Sequence, residues 1–253
     1  MYPGIDAFYE NLDDIDMDEN GDDESKIVEN CIDNSVSNNN DIKDYEIEYL
    51  WFSNNESDWL NALSKYYSFL KPHQMDIETY MEELDAETVR NYTVAEFFDF
   101  LHDYYFVWKY TAANRLATTR KSLRKYIFES RMDELETIHK ALFNSNKDDI
   151  RSCMMIATKI RGLGTAGASG LLSILYPQKF ATLDQFVVKS LNKIPCLPNS
   201  GNINRINPEN IKIKEAVLLI ELLREKAAEL NEKFNTDFWT PRKLDMILWS
   251  IGR

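Results

Sequence analysis

Cysteine, histidine and long apolar runs are scarce in this chain of 253 residues, and each scarcity excludes a class of protein. The cysteines and histidines stand alone in the sequence, at Cys31, Cys153, Cys196, His73, His102 and His139. Zinc and iron–sulfur sites need such residues in closely spaced groups, so we expect no metal bound by side chains. No stretch approaches the roughly 18 apolar residues of a membrane-spanning helix, and none resembles a signal peptide. We therefore expect a cytoplasmic protein with no membrane contact.

The negative charge is concentrated at one end of the chain. The net charge is −13, but residues 1–48 contain 16 acidic residues and two lysines, which gives this segment −14. Residues 49–253 therefore carry +1, and residues 120–253 alone carry +7. Low hydrophobicity, high charge and the lack of a sustained period predict that residues 1–48 are an acidic, low-complexity, largely disordered tail. The remaining Lys and Arg residues can still neutralise the phosphates of a nucleic acid.

Apolar residues recur at spacings of three and four after the tail, which predicts an all-α domain over residues 49–253. Several helix starts are marked by capping residues or by a following proline. These are Ser57 or Asp58, Thr93 with Glu96 in a capping box, Asp148 or Asp149, and Thr240 followed by Pro241. We expect Lys71-Pro72 to end the first of these helices. No convincing alternation of apolar and polar residues indicates a β-strand.

A turn that contains glycine predicts a phosphate-binding hairpin in the middle of the chain. Gly162-Leu163-Gly164 lies between two apolar helical segments, so residues 150–176 are expected to fold as helix, hairpin, helix. Leu163 is placed to fill the gap between the two helices. Free backbone N–H groups at the start of the second helix can bind a phosphate, directly or through a monovalent cation such as K⁺ or Na⁺. No other cofactor is expected.

Asp184 follows the hairpin by about twenty residues and begins another apolar helical segment, at about residues 180–192. With this spacing, residues 160–191 resemble the helix-hairpin-helix DNA glycosylases. The hairpin of that family reads close to Pro-Gly-Val-Gly, and its later segment reads close to Val-Asp-Thr-His-Val, where this chain has Leu-Asp-Gln-Phe-Val. The resemblance implies a helical bundle of that fold, a double-stranded DNA substrate and hydrolysis of an N-glycosidic bond.

The resemblance also implies roles for particular residues. The DNA-backbone contacts of the family correspond to Gly162, Leu163, Gly164, Thr165, Ala166 and Gly167, the last three through their amides. Asp184 corresponds to the catalytic aspartate. Members that also cleave the DNA strand have a Schiff-base lysine where this chain has Ala166, so the resemblance implies a monofunctional enzyme without AP-lyase activity. The four-cysteine iron–sulfur cluster that is frequent in the family is absent here.

Excision of a base requires a carboxylate and a place for the base. Breaking the bond produces an oxocarbenium-like sugar, so Asp184 is expected to stabilise its charge and to orient or deprotonate the attacking water. The damaged or modified base must leave the duplex and stack against aromatic rings. The candidate rings are those of Tyr104, Tyr105, Trp108 and Trp249. The candidate phosphate contacts are Arg120, Lys121, Arg124 and Lys125.

Other functions stay open beside a glycosylase in DNA repair or in defence against modified foreign DNA. One is a noncatalytic helix-hairpin-helix DNA-binding protein, in which Asp184 only caps a helix. Another is a helical protein-interaction domain without a DNA partner, which would be recruited through the acidic tail. The aromatic candidates are also typical of core residues, because aromatic side chains at helical spacing usually pack inside a domain. The tail itself is a candidate competitor of DNA, since a tethered polyanion has a high effective concentration.

Overall fold

A computed structural model describes residues 46–253, and all regular secondary structure in that range is helical, with no β-strand. The predicted all-α class is confirmed for these residues. Nearly all of the predicted tail lies outside the described residues. The last residues of the predicted tail do lie within the described range, where Ile47 is buried and begins the first helix. The helical domain therefore starts two residues earlier than predicted. None of the helices in the described range is long and apolar enough to cross a membrane.

The helices follow one another through short connections. In chain order they are α1 Ile47–Trp51, α2 Glu56–Ser68, α3 Pro72–Glu82, α4 Ala86–Arg90, α5 Val94–Asp99, a π-helical segment Phe100–Tyr105, α6 Phe106–Lys109, α7 Ala113–Phe128, α8 Met132–Asn144, α9 Ile150–Ala157, α10 Thr165–Leu175, α11 Gln185–Leu191, α12 Ser200–Ile203, α13 Ile213–Phe234 and α14 Pro241–Gly252. The predicted helix-hairpin-helix is the pair α9 and α10 with the turn between them.

Capping residues determine where several helices begin, as the sequence predicts. The Thr93 hydroxyl accepts a bond from the Glu96 amide at 3.3 Å, and the Glu96 carboxylate accepts one from the Thr93 amide at 2.7 Å. This is the predicted capping box at the start of α5. Asp149 caps α9, and Thr240 caps α14 with Pro241 at the first helical position. These predictions are confirmed.

The predictions for α2 and α3 were wrong in detail. Asn55 caps α2 in place of Ser57 or Asp58, and its side-chain oxygen accepts a bond from the Ser57 amide at 3.1 Å. Lys71-Pro72 does not end α2, which has already ended at Ser68, but starts α3 with Pro72 as the first helical residue. Proline suits that position because its φ is already helical and a first-turn residue needs no N–H.

The C-terminal helix joins distant parts of the chain. α14 packs against α2, α11 and α13, and α13 packs against α9. The core of the described residues contains large side chains that are almost fully buried, including Trp59, Phe106, Phe180 and Trp239. Because α11 begins directly after Asp184, this packing places Asp184 beside helices from both ends of the described range.

The aromatic-rich run changes its helical type in the middle. α5, the π-helical segment and α6 form one continuous helix over residues 94–109. A π turn holds more residues than an α turn, so it rotates the side chains that follow, and such turns are frequent at functional sites. The helix ends at Lys109, after which Tyr110 adopts an extended conformation. The last two helical residues, Trp108 and Lys109, both line a cavity.

Candidate active site

The two glycines of the hairpin have different structural roles. Gly162 has a φ of +99°, and a Cβ there would lie 2.9 Å from the carbonyl oxygen of Thr119. Only glycine satisfies both conditions without strain. Gly164 has a φ of −93°, and a Cβ added there would meet no atom within 4 Å, so the turn does not require glycine at that position. Leu163 is buried between the helices, as predicted.

The start of α10 leaves backbone donors without helical partners. The first hydrogen bond of the helix runs from the Ala168 amide to the Gly164 carbonyl at 2.8 Å, and no side chain caps this end. The amides of the first three residues therefore point away from the helical ladder. Thr165 and Ala166 are half-buried, whereas Gly167 is buried under Leu163 and the hydroxyl of Tyr110. Of the three predicted donors, Thr165 and Ala166 are the ones at the surface.

Asp184 is fixed beside the hairpin by hydrogen bonds on both sides. Its Oδ1 caps α11 by accepting bonds from the Phe186 and Val187 amides, at 2.9 and 3.2 Å. The preceding amide, that of Leu183, donates to the Ser169 hydroxyl of α10 at 2.9 Å. Both capping bonds use Oδ1, so Oδ2 has no donor among the described residues and is left for a ligand. Asp184 is half-buried and lines the cavity.

The cavity has a volume of about 370 Å³ and is lined by residues of α2, α3, α6, α11 and α14. It is large enough for a nucleobase, since small-molecule sites typically begin at about 300 Å³. Its aromatic walls come from Tyr66, Trp108, Phe186 and Trp249, and its charged groups from Glu78, Lys109, Asp184, Arg242, Asp245 and Arg253. Aromatic and ionisable side chains thus meet around the Asp184 carboxylate.

Two of the four predicted base-pocket residues are part of this cavity. Trp108 and Trp249 line it, and Trp249 packs edge to face with Tyr66 at a centroid distance of 5.5 Å. Tyr104 and Tyr105 do not line it, and their prediction was wrong. Tyr104 is exposed on the outside of the π-helical segment, where it packs on Tyr80. Tyr105 is fully buried, and its hydroxyl donates to the carbonyl of Gly167.

A buried ionic network forms one wall of the cavity. The Arg242 guanidinium donates to Glu78 at 2.7 Å and to Asp245 at 2.5 Å. Glu78 also accepts bonds from the Tyr66 hydroxyl at 2.8 Å and from the Trp108 indole N–H at 2.6 Å. Each buried charge in the network therefore has a partner of opposite sign, as a low-dielectric environment requires.

Asp245 has a strongly shifted protonation equilibrium. Burial raises the pKa of its carboxyl to about 7, against the lowering effects of the Arg242 charge and of the hydrogen bond from the Thr182 amide. That amide donates to Oδ2 at 2.5 Å, so Asp245 also holds the segment that leads to Asp184. A carboxyl that changes its charge near neutral pH, beside a second carboxylate in one cavity, is typical of active sites.

Four charged residues of the cavity were not predicted from the sequence, namely Lys109, Glu78, Arg242 and Asp245. Glu78 and Arg242 are 164 residues apart, so no local pattern connects them. A signal did exist for Arg242 and Asp245, because both stand among the apolar residues of a short terminal helix, most of whose residues are buried. A charged pair at spacing i, i+3 on such a helix indicates a buried and partnered site.

The basic run on α7 is partly engaged within the protein. Arg120 donates from Nε to the His102 carbonyl at 2.8 Å, and Arg124 donates from Nε to the His102 ring at 3.1 Å. Lys121 and Lys125 are exposed. Phosphate contact by this run stays a prediction, and the two lysines are its better candidates because their charges face solvent.

No model of a known protein family, no curated protein and no solved structure matches the chain.

Proposed function

We propose that this protein is a DNA glycosylase that hydrolyses the N-glycosidic bond of a damaged or modified base, in repair or in defence against modified foreign DNA. One observation supports this most strongly. Asp184, which follows a helix-hairpin-helix at the spacing described above, lines a nucleobase-sized cavity with Trp108 and Trp249. The start of α10 offers backbone donors to the DNA phosphates, with or without an intervening K⁺ or Na⁺.

The cavity supplies what base excision needs. A flipped base would stack against Trp108 or Trp249, whose rings are held by neighbouring side chains. As the bond to C1′ breaks, the Oδ2 of Asp184 stabilises the positive charge that develops on the sugar. The same oxygen accepts a proton from the water that attacks C1′. Oδ1 stays bonded to the amides of α11, which keeps the carboxylate in one orientation.

The first test measures base release with an Asp184→Asn variant. Duplex DNAs that contain damaged and naturally modified bases are incubated with the protein, released bases are identified by mass spectrometry, and abasic sites are counted after alkali treatment. We expect Asp184→Asn to lose at least about 100-fold in the rate of release, because it removes a charged catalytic group. Asparagine caps helices as well as aspartate does, so the variant should fold and bind DNA.

Asp149→Asn is the matched control. Asp149 also caps a helix through its side chain, accepting a bond from the Ser152 amide at 2.9 Å, but it does not line the cavity. Its substitution should leave base release unchanged. Equal rates for Asp184→Asn and the wild-type protein on a released base would remove Asp184 from the mechanism.

A noncatalytic DNA-binding protein is the second candidate, and the two capping bonds of Asp184 favour it. A carboxylate that only caps a helix would make these same bonds. This function predicts salt-sensitive binding to duplex DNA without release of any base from the same panel. Binding measured by fluorescence anisotropy, together with an empty mass-spectrometric survey, would favour it over the glycosylase.

A further inference from the structure

Lys109 reaches the cavity from a helix outside the hairpin. It is the last residue of α6, and its Cδ and Cε pass 3.2 and 3.3 Å from the point where a Cβ on Gly170 would stand. The missing side chain of Gly170 therefore makes room for the lysine stem. A Cβ there would also lie 2.8 Å from the Tyr105 hydroxyl. The second helix of the hairpin thus directs this amine into the cavity that Asp184 lines.

The amine of Lys109 has no fixed partner. Within residues 46–253, no hydrogen bond or ion pair holds its Nζ, which lies 6.0 Å from the ring centroid of Trp108. Two other lysines that are removed from solvent do have hydrogen-bonding partners. The half-buried Lys147 donates to the Phe143 carbonyl, and the buried Lys226 donates to Glu229. A half-buried amine without a hydrogen-bonding partner is unfavourable for folding, which indicates a functional reason for its position.

The surroundings of Lys109 also favour its reactive form. Burial lowers the pKa of Lys109, and the Arg242 charge lowers it further, while the carboxylates of Asp184 and Asp245 oppose the shift. The neutral amine, which is the nucleophilic form, is therefore more populated at a given pH than in an exposed lysine.

We propose that Lys109 is a catalytic residue that attacks C1′ of the abasic sugar and forms a Schiff base with it, followed by cleavage of the DNA strand. The proposal rests on the proposed glycosylase function, because base release generates the aldehyde at C1′. A lyase activity of this kind differs from the expectation, based on Ala166, that the enzyme is monofunctional. The nucleophilic amine is then on α6, at Lys109, and not in the first turn of α10, where Ala166 stands.

The reaction needs no further reagent. In the open-chain sugar, the Lys109 Nζ adds to the aldehyde carbon C1′, and the resulting carbinolamine loses one water to give a protonated imine. A carboxylate, for which Asp184 is placed, then takes a proton from C2′. The electron pair of that C–H bond forms the C2′–C3′ double bond, and the 3′ phosphate leaves with the electrons of the C3′–O bond. Hydrolysis of the imine returns the free amine.

The test uses the full-length protein and a DNA duplex with one preformed abasic site, so that base release is not required. Borohydride reduces an imine to a stable amine and so links protein and DNA covalently. We expect a linked species whose peptide mass spectrum places the sugar on Lys109, and strand cleavage when borohydride is left out. Lys109→Met and Lys109→Arg should both lose the covalent link. Because arginine keeps the positive charge, loss of the link in Lys109→Arg shows that the amine is needed and not only its charge.

Lys159→Met is the matched control. Lys159 is an exposed lysine directly before the hairpin, so its loss removes one charge near the expected DNA contact without touching the cavity. It should retain the link. Circular dichroism of the three variants establishes that each is folded before trapping is compared.

The outcomes separate the two proposals. If the wild-type protein forms no link, or if the link persists in both Lys109 variants or maps to another residue, the role of Lys109 is disproved. If the role of Lys109 is disproved in this way but base release is observed, the proposed glycosylase function stands without a catalytic lysine. A link on Lys109 with no release of any base from modified DNA would support Lys109 and overturn the glycosylase function.

Discussion

Arg242 fixes several walls of the cavity at once. Its guanidinium bonds to Glu78 and Asp245 and lies 5.1 Å from the ring centroid of Trp108, whose indole N–H is bonded to the same Glu78. Removing one partner of such a buried pair typically costs about 3–5 kcal/mol, because a charge is left uncompensated. Trp108 is therefore held in place by its neighbours, so under the proposed function a flipped base would not need to order it.

At the same scale, Asp245 gives the protein an unusual dependence of stability on pH. Its pKa is about 7 in the folded protein and about 3.8 in the unfolded chain, so the folded state binds the proton more tightly. The stability from this group is complete below pH 3.8 and is lost as the pH rises through 7. The loss of stability caused by Asp245→Asn should therefore shrink as the pH rises from 4 to 7, by up to about 1.4 kcal/mol per pH unit.

Urea denaturation of the wild-type and Asp245→Asn proteins at several pH values measures this difference. Asp149→Asn serves as the control, because hydrogen bonding by Ser152 lowers the pKa of Asp149. For that variant the difference should stay constant between pH 5 and 7. A difference for Asp245→Asn that stays constant over this range, as for Asp149→Asn, would show that Asp245 is ionised throughout it and would contradict the raised pKa.

Among the elements, the hairpin between α9 and α10 depends on one glycine. Gly162→Ala places a Cβ 2.9 Å from the Thr119 carbonyl and forces a residue with a side chain into a left-handed φ of +99°. We expect a loss of about 1–3 kcal/mol in the free energy of unfolding. Gly164→Ala should change it by less than about 0.5 kcal/mol, since its φ is ordinary and its surroundings are open. Similar losses for both variants in denaturant titrations would contradict this division.

Local signals predicted the elements better than the site. Thr93, Asp149 and Thr240 mark helix starts because a cap and its helix are adjacent in sequence. Pro72 was wrongly predicted to end a helix, because proline can end one helix and also suits the first position of the next. Asp184 was found through its spacing from the hairpin, but Lys109 was not, because only the packing of α6 against Gly170 brings it into the cavity.

The whole molecule is divided by charge. Residues 1–48 carry −14, whereas residues 120–253, which contain the hairpin and Asp184, carry +7. The exposed Lys121 and Lys125 belong to the positive part. If the domain binds DNA as proposed, a tethered segment of that charge would compete with the DNA phosphates for the same cations, at an effective concentration set by the length of the chain.

Deleting residues 1–44 should therefore tighten nonspecific binding to duplex DNA, by about tenfold or more at low salt. The described helices all lie after this cut. Circular dichroism of the shortened protein establishes that it is folded before binding is compared. The gain should fall as salt is raised, because salt screens the competition between the tail and the DNA. Fluorescence anisotropy titrations of both proteins against one duplex, over a series of salt concentrations, measure the effect.

A full-length variant with the acidic residues of 1–44 changed to Asn and Gln should behave like the deletion. Unchanged affinity in both proteins would assign the tail no part in DNA binding, and a gain in the deletion alone would assign the effect to its bulk and not to its charge.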